Sequence, residues 1–219
     1  MPLTYAIGDI HGSLDKLRRL IARCEEQAEG RPATFIFLGD YIDRGPDSAG
    51  VVDFVMALQS RAQSRVVALR GNHEAIALGV VAGTLPEDYW LDQGGDATLE
   101  SYGAVNASEL PEAHVEWLRS LPVSHDDGRH FFVHAGIDPD MPLAAQREHD
   151  LIWIREPFLS DERDHGRLVV HGHTPLQTRK PELRPNRLNI DTGAVFGGPL
   201  TAAIFADGER DPVAFIQAD

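Results

Sequence analysis

Cysteine is nearly absent from this chain, since Cys24 is the only one among 219 residues. A single thiol excludes a disulfide framework and a metal site built from several thiolates. Because an isolated cysteine behaves as a small apolar side chain, we expect Cys24 to lie in the core. Any metal ligands in this chain are therefore oxygen and nitrogen atoms.

Positive charge is also scarce. The chain has 20 Lys and Arg against 34 Asp and Glu, a formal net charge of −14, and its cations form no dense stripe. We therefore expect no nucleic-acid partner, because nucleic-acid backbones are bound by clustered cations. A phosphate substrate is not excluded, since bound metal ions can supply the positive charge that the side chains lack.

Long apolar runs are missing, and no basic segment followed by an apolar core stands at the N-terminus. The sequence therefore predicts a cytoplasmic protein with no membrane partner. Its length and its 42% of hydrophobic residues suffice for one substantial core. We expect one domain over residues 1–219, because no repeat, linker or low-complexity segment divides the chain. We also expect a monomer.

The most informative stretch reads FIFLGDYIDRG, residues 35–45. The unbroken apolar run 34–38 before its glycine is typical of a strand buried on both faces. The glycine lets the backbone turn, so Asp40, Asp43 and Arg44 should lie in a loop at the carboxyl end of that strand, where α/β sheets place ligands. A carboxylate there is costly to desolvate unless it is paired or binds a cation, which makes Asp40 the first candidate for a metal ligand.

The same layout of strand, glycine and polar residue recurs along the chain. Strands predicted at 3–7 and 66–69 end in GDIHG and GNHE, and helices begin after GDIHG and after the central stretch. Later strands end in HAG, HGHTP and DTG, and the tail reads as a hairpin turning around Asp207. Between them we predict a middle segment, about 79–121, that flanks the site and includes a helix over 108–121.

The polar residues at these strand ends form one candidate set of metal ligands: Asp9, His11, Asp40, Asn72, His134 and His173. Six such ligands suit two ions that share one bridging carboxylate, for which we choose Asp40. Mixed imidazole and carboxylate ligands favour manganese first, with iron or zinc as alternatives. Two ions of this kind generate hydroxide from water and hold phosphoryl oxygens, so the set predicts direct in-line hydrolysis at phosphorus.

A second group of residues could assist this reaction. His73 directly follows a proposed ligand, so we expect its ring to point elsewhere and to protonate the leaving oxygen as general acid, a contribution of about 10²- to 10⁴-fold. Asp43 would orient His73 and favour its protonated form. Arg44, Arg70 and Arg155 would bind the non-bridging phosphoryl oxygens through their bidentate guanidinium groups.

Histidines are weaker evidence when they stand alone, because a histidine on a strand is more often a hydrogen-bonded core residue than a ligand. We therefore favour a structural role for His130 and His171, although both lie close to candidate ligands in the sequence.

In this order, GDIHG, GDYIDRG, GNHE, HAG and HGHTP resemble the motifs of the PPP-type serine/threonine phosphatases within the calcineurin-like metallophosphoesterases, over Gly8 to about Gly193. The resemblance implies an α/β (α+β) fold, with a central β-sandwich of mixed sheets flanked by helices and a dinuclear metal site at the carboxyl ends of strands. It places one metal on Asp9, His11 and Asp40, and the other on Asp40, Asn72, His134 and His173. It also implies an acid pair of His73 with Asp43, and phosphate binding by Arg44, Arg70 and Arg155.

Two departures refine the resemblance. The tail contains IDTGAVFGGPL, which looks like the compact bacterial and phage branch, and Pro175 stands where other superfamily members have a second ligand histidine. The implied function is a metal-dependent phosphomonoesterase, a serine/threonine protein phosphatase acting on a phosphoprotein or a small phosphoester. The alternative is a dinucleoside polyphosphate hydrolase acting on diadenosine tetraphosphate. Symmetrical enzymes of that kind typically lack an aspartate at the position of Asp43, so its presence favours the phosphomonoesterase.

Overall fold

The structure, a computed structural model, describes residues 2–61 and 64–219. Its strands in this part of the chain are β1 (Leu3–Ile7), β2 (Ala33–Phe37), β3 (Ser64–Ala68), β4 (Ser124–Asp126), β5 (His130–Val133), β6 (Leu168–His171), β7 (Glu182–Leu183), β8 (Arg187–Asn189), β9 (Leu200–Ala206) and β10 (Ala214–Ala218). They form two mixed sheets, in the orders β10-β9-β1-β2-β3 and β4-β5-β6-β8-β7.

The helices are α1 (Leu14–Ala28), α2 (Ser48–Gln59), α3 (Asn72–Val81), α4 (Glu87–Trp90), α5 (Asp96–Tyr102), α6 (Glu112–Ser120) and α7 (Glu148–Trp153). A π-helical turn at Leu91–Gly95 joins α4 to α5, and short 3₁₀ turns lie at Ala107–Glu109, Leu143–Ala145, Phe158–Ser160 and Ala194–Phe196. Within residues 2–61 and 64–219, no helix has the length and apolar character needed to cross a membrane.

Side chains alternate along each strand, so each strand has one face toward the other sheet and one face toward the helices. The two sheets therefore pack face to face. In β2, Ile36 points into a cluster shared by both sheets, whereas Phe35 and Phe37 belong to the cluster beneath the helices. Both faces of the strand are therefore buried, as its unbroken apolar run predicts. On the other side of the molecule, Val169 of β6 packs with Leu151 of α7. The sandwich of mixed sheets flanked by helices confirms the predicted fold class.

Helix α1 shows how the local pattern determines its packing. Its buried residues follow a 3.6-residue period: Leu14, Leu17, Leu20, Ile21, Cys24 and Ala28. Cys24 is fully buried, which confirms its prediction as a core residue. At the start of α2, Asp47 accepts a hydrogen bond from the backbone N–H of Gly50 at 2.9 Å, an N-cap that confirms the predicted helix start.

The predicted helix 108–121 begins too early. The structure places a 3₁₀ turn at Ala107–Glu109 and starts α6 only at Glu112. Leu110 is extended, with ψ of 139°, because the residue before a proline is disfavoured in the α region. Pro111 therefore separates the two helical segments.

The topology brings the loops of interest together. β1, β2 and β3 run parallel in one sheet, and β5, β6 and β8 run parallel in the other. Backbone hydrogen bonds continue from the strands into the loops: His11 N–H donates to the Asp40 carbonyl at 2.8 Å, and Gly172 N–H donates to the His134 carbonyl at 2.8 Å. The polar loops therefore lie at one end of each sheet, where the parallel strands end.

Candidate metal site

The loops at this end have an unusual backbone. Five non-glycine residues there adopt left-handed φ values between 44° and 71°: His11, Asp40, Asp43, Arg44 and His173. Each costs of order 1 kcal/mol or more, and such residues cluster at functional sites where the surrounding structure holds them. The strained backbone conformations therefore fall on residues that the sequence predicts as metal ligands, as part of the acid pair or as phosphate-binding groups.

Two glycines let the loops approach closely. A Cβ added at Gly71 would lie 2.2 Å from Oδ1 of Asp40, and one added at Gly172 would lie 2.0 Å from Oδ1 of Asp9. Both distances are below any real contact, so a side chain at either glycine would displace a carboxylate. The glycines of GNHE and HGHTP thus make room for the two aspartates.

Asp40 lies at the centre of the site and is 2% exposed. Its Oδ2 is 3.3 Å from Nε2 of His11 and 4.0 Å from Nε2 of His73, and its Oδ1 is 3.4 Å from Nε2 of His134. Burial alone would raise the pKa of Asp40, but the three neighbouring histidines hold it well below its usual range. Asp40 is therefore an anion that faces imidazoles on both sides, as expected for a bridging carboxylate.

Acceptor atoms face each other around His134. Its Nδ1 donates to the Leu38 carbonyl at 2.9 Å, and burial lowers the pKa of His134, so the ring is neutral and its Nε2 carries a lone pair. That Nε2 lies 2.9 Å from Oδ1 of Asn72 and 3.4 Å from Oδ1 of Asp40. Three acceptors in a buried space repel one another unless a cation lies among them, so this donor set fits a metal ion.

His173 completes the second side of the site. Its Nδ1 lies 2.9 Å from Oδ1 of Asn72. Burial and the neighbouring His134 lower the pKa of His173 to about 2, so its ring is neutral. Its Nε2 is buried and has no hydrogen-bond partner among the described residues. Nδ1, not Nε2, faces the amide oxygen of Asn72, so Nδ1 is the ring atom that an ion held by Asn72 would meet.

Two groups of side chains present ligand atoms within 4.8 Å of one another: His11, Asp40 and His73, and Asp40, His134 and His173. Asp40 belongs to both groups, as predicted for a residue shared by two ions.

Asp9 lies outside both groups but lines the same cavity, and its carboxylate accepts the His173 N–H at 3.0 Å. Burial, Asp191 and Asp40 together raise the pKa of Asp9 well above its usual range. The assignment of individual ligands stays a prediction.

His73 and Asp43 lie as the motif predicts. Nδ1 of His73 is 2.7 Å from Oδ2 of Asp43, and both side chains are buried. Asp43 also accepts hydrogen bonds from Trp90 Nε1 at 3.0 Å and from Thr98 Oγ1 at 2.7 Å. Both donors belong to the middle segment, 79–121, which therefore contacts a candidate site residue. Neither residue was predicted, because no local pattern connects them with Asp43.

The three predicted phosphate-binding arginines have different surroundings. Arg44 and Arg155 line a cavity of about 290 Å³, which Asp9, His11, Asp40, His73 and His173 also line. Nη1 of Arg44 donates to Nε2 of His11 at 2.8 Å. Arg70 instead pairs with Glu148 at the start of α7 and is not among the described residues that line this cavity. The structure thus brings two of the three arginines to the site.

The cavity contains further residues that the sequence analysis assigned no role: Gln93, Trp153, Asp191, Val195 and Phe196. Asp191 is 3% exposed, and burial raises its pKa to about 6. It follows β8 in the DTG motif, so a polar residue beside a glycine at a strand end was a signal present in the sequence. Phe196 gave no comparable signal.

Comparison with known proteins identifies the relatives of this chain. A family model described as calcineurin-like phosphoesterase matches residues 3–207. The chain is 32% identical over 211 residues to Serine/threonine-protein phosphatase 1 of Salmonella typhimurium, covering 91% of this chain and 90% of the relative. It is 27% identical over 229 residues to the asymmetrical Bis(5'-nucleosyl)-tetraphosphatase PrpE of Anoxybacillus flavithermus, covering 93% and 90%.

A solved structure shows the same fold. The cold-active protein-tyrosine phosphatase of a Shewanella species superimposes with a TM-score of 0.65 at 18% identity, covering 97% of this chain and 80% of that one. Together, the family match and the relatives confirm the resemblance drawn from the motifs.

Proposed function

Because this chain belongs to the calcineurin-like phosphoesterases, a family of metal-dependent hydrolases, we propose that it is a phosphomonoesterase acting on phosphoserine and phosphothreonine. The buried pair of His73 and Asp43 beside Asp40 is the observation that carries this proposal. An alkoxide is a poor leaving group, so hydrolysis of a phosphoserine ester depends on an acid placed at the leaving oxygen. The relative named as a serine/threonine phosphatase supports the same substrate class.

Two ions would be held by the predicted ligands, with His11 and Asp9 on one side of Asp40 and Asn72, His134 and His173 on the other. When bound, they would supply Lewis acidity and an activated water. The donor set contains only imidazole, amide and carboxylate groups, and we propose manganese as the native metal, with iron or zinc as alternatives.

The chain's own residues would position and protonate the substrate. His73 uses Nδ1 to contact Asp43, which leaves Nε2 to donate a proton to the leaving oxygen. The two hydrogen bonds from Trp90 and Thr98 fix the Asp43 carboxylate and hence the orientation of the ring. Arg44 and Arg155 would bind phosphoryl oxygens from the cavity wall.

The proposal is tested with His73→Asn, assayed on a phosphoserine peptide and on p-nitrophenyl phosphate. We expect kcat on the peptide to fall by about 10²- to 10⁴-fold and kcat on the aryl ester to fall much less, because nitrophenolate leaves without help from an acid. Metal content must be measured in parallel, since His73 lies within 4.8 Å of other candidate ligands. His125→Asn, on β4, serves as the matched control. Equal losses on both substrates, with metal retained, would exclude the acid role.

A second candidate function is hydrolysis of dinucleoside polyphosphates, because one relative is named for that activity. The two functions are separated by comparing kcat/KM for phosphopeptides and for diadenosine tetraphosphate under the same metal. A higher value for diadenosine tetraphosphate than for every phosphopeptide would replace the leading proposal. Repeating the assay with manganese, iron and zinc tests the metal assignment.

A further inference from the structure

Phe196 is exposed at the mouth of the candidate site. Its side chain lines the cavity that contains Asp40, yet the residue is 55% exposed, which is unusual for a phenylalanine. The 3₁₀ turn that carries it, Ala194–Phe196, lies between Gly193 and Gly197, and both glycines have left-handed φ values, of 72° and 80°. The backbone therefore turns sharply on either side of this ring.

The loop that carries Phe196 is held in place by two positively charged side chains. Lys16 donates to the carbonyls of Ala194 and Gly198 at 3.1 and 2.6 Å. Arg179 donates to the carbonyl of Phe196 at 3.3 Å and to that of the next glycine at 2.9 Å. Four carbonyl contacts restrict the loop, so the ring is presented to solvent by a fixed backbone. A pre-ordered aromatic side chain loses little conformational entropy when it binds a ligand.

The ring also connects two spaces. The guanidinium carbon of Arg44, proposed to bind phosphate, lies 5.7 Å from its centroid. Phe196 also lines an adjoining groove of about 350 Å³ together with Pro175, Leu176 and Gln177. A phosphate bound near Arg44 would thus place the group attached to it beside the Phe196 ring.

From these observations we propose that Phe196 is a specificity-determining residue that stacks against a planar aromatic ring carried by the leaving group of the phosphate ester. The proposal rests on the phosphoesterase activity proposed above; in a phosphoserine or phosphothreonine substrate the ring would belong to a neighbouring residue of the peptide, because neither side chain carries one. A phenylalanine side chain offers no hydrogen bond, so it discriminates by contact with an apolar, planar face. A nucleobase and a phenyl group share this chemistry, and both stack on aromatic side chains.

The test compares Phe196→Ala with wild type on two matched pairs of phosphates. Benzyl phosphate and cyclohexylmethyl phosphate both release a primary alcohol, but only the first carries a planar ring. AMP and ribose 5-phosphate differ by the base. We expect Phe196→Ala to raise KM about five- to tenfold for either benzyl phosphate or AMP, whichever carries the ring that the site accepts. KM for cyclohexylmethyl phosphate and for ribose 5-phosphate should rise about twofold or less. The pair with the larger effect identifies the ring as a phenyl group or a nucleobase.

Phe215→Ala is the matched control, because Phe215 is also exposed but lies on β10, outside the residues that line the site. The inhibition constant of inorganic phosphate supplies a second control. If Phe196→Ala weakens phosphate and all four esters equally, the ring only positions Arg44 and the proposal is wrong. Unchanged KM ratios in both pairs would also overturn it, while leaving the phosphoesterase function intact.

Binding of benzylphosphonate, measured by calorimetry with manganese present, distinguishes this proposal from the function on which it rests. The phosphonate is not hydrolysed, so its affinity can be measured even if wild type turns over none of the esters. A five- to tenfold loss of affinity in Phe196→Ala would support ring stacking in either case. Equal affinity in wild type and Phe196→Ala for benzylphosphonate and also for AMP would refute it.

Discussion

Glu74, the last residue of GNHE, is a buried carboxylate that takes no part in the proposed chemistry. Its two oxygens accept hydrogen bonds from the backbone N–H groups of Gly71, Asp40 and Tyr41 at 2.8–2.9 Å. Burial and the charge of Asp40 raise the pKa of Glu74 to about 8, and these N–H groups oppose the rise. One side chain therefore ties the loop after β2, where Asp40 is left-handed, to the start of α3.

We expect Glu74→Ala to lower the free energy of unfolding by about 3 kcal/mol or more, because three buried N–H groups lose their acceptor. Urea unfolding of the metal-free protein measures this change. Glu26→Ala, at an exposed position of α1, is the control and should change stability by less than about 0.5 kcal/mol. A loss below about 1 kcal/mol in Glu74→Ala would mean that the loop does not depend on this carboxylate.

At this scale, the sequence predicts side chains that belong to a local pattern. Asp40 and His134 could be predicted because each lies at a strand end near a glycine: Asp40 directly follows Gly39, and His134 begins the motif HAG. Trp90 and Thr98 could not, since they reach Asp43 from 47 and 55 residues away through the irregular segment between α3 and α6. Glu148 is a similar case, because its pairing with Arg70 depends on where α7 packs.

At the scale of elements, His130 joins the turns of two hairpins. Its Nδ1 lies 2.8 Å from Oδ2 of Asp127, in the turn between β4 and β5, and its Nε2 lies 2.9 Å from the carbonyl of Arg210, between β9 and β10. The ring also packs on Phe205 at a centroid distance of 4.3 Å. Because β4 and β5 belong to one sheet and β9 and β10 to the other, this histidine connects the two sheets at their edges. The contacts agree with the structural role predicted for it.

This connection predicts a pH dependence of stability. Burial would raise the pKa of Asp127, but hydrogen bonds from His130 and from the Arg129 N–H outweigh it and lower the pKa from 3.8 to about 2. A carboxyl whose pKa is lower in the folded state stabilises the fold above its unfolded pKa, and this stability is lost as pH falls through the folded pKa. We therefore expect Asp127→Asn to destabilise the protein at pH 6, and the difference from wild type to shrink between about pH 4 and pH 2.

Urea unfolding at pH 6, 4 and 3 checks this expectation. Asp88→Asn is the matched control, because Asp88 is exposed on α4. Its difference from wild type should stay small at every pH. A destabilisation by Asp127→Asn that does not change with pH would show that the side chain contributes shape and not charge.

The sequence predicts long elements better than short ones. The buried strand β2 and the helix α1 carry clear periodic patterns, whereas β4 and β7 have three and two residues and were not predicted. Strands this short pair only because β5 and β8 provide an edge for them. Their existence is a consequence of the assembled sheet and leaves no period in the sequence.

At the scale of the whole molecule, several acidic side chains are buried close together, where desolvation and mutual repulsion destabilise the folded state. The chain carries a formal net charge of −14, and three of its aspartates, Asp9, Asp40 and Asp191, are at most 4% exposed in one cavity. Burial and mutual repulsion raise the pKa values of Asp9 and Asp191. Without cations, folding therefore has to bring these carboxyl groups together at a cost in free energy.

Metal ions should offset that cost, so we expect the stability of the whole fold to depend on them. At a free manganese concentration about 100 times the dissociation constant, binding to the folded state alone contributes about 2.7 kcal/mol per site. For a chain of this length, 2.7 kcal/mol corresponds to a rise of about 5–10 °C in Tm relative to the protein treated with a chelator. Calorimetry with and without EDTA, combined with elemental analysis, measures both the shift and the number of ions bound.

Asn72→Ala separates specific binding from general screening of the negative charge. Its amide oxygen lies 2.9 Å from ring nitrogens of both His134 and His173, so its removal should weaken one site and reduce the manganese-dependent rise in Tm. Screening acts on the net charge, which this substitution leaves unchanged, and it would stabilise the variant and wild type equally. An equal rise in both proteins, or a bound ratio of one ion per chain in wild type, would contradict the two-ion site. A smaller rise in Asn72→Ala would link the stability of the fold to the ligands at its strand ends.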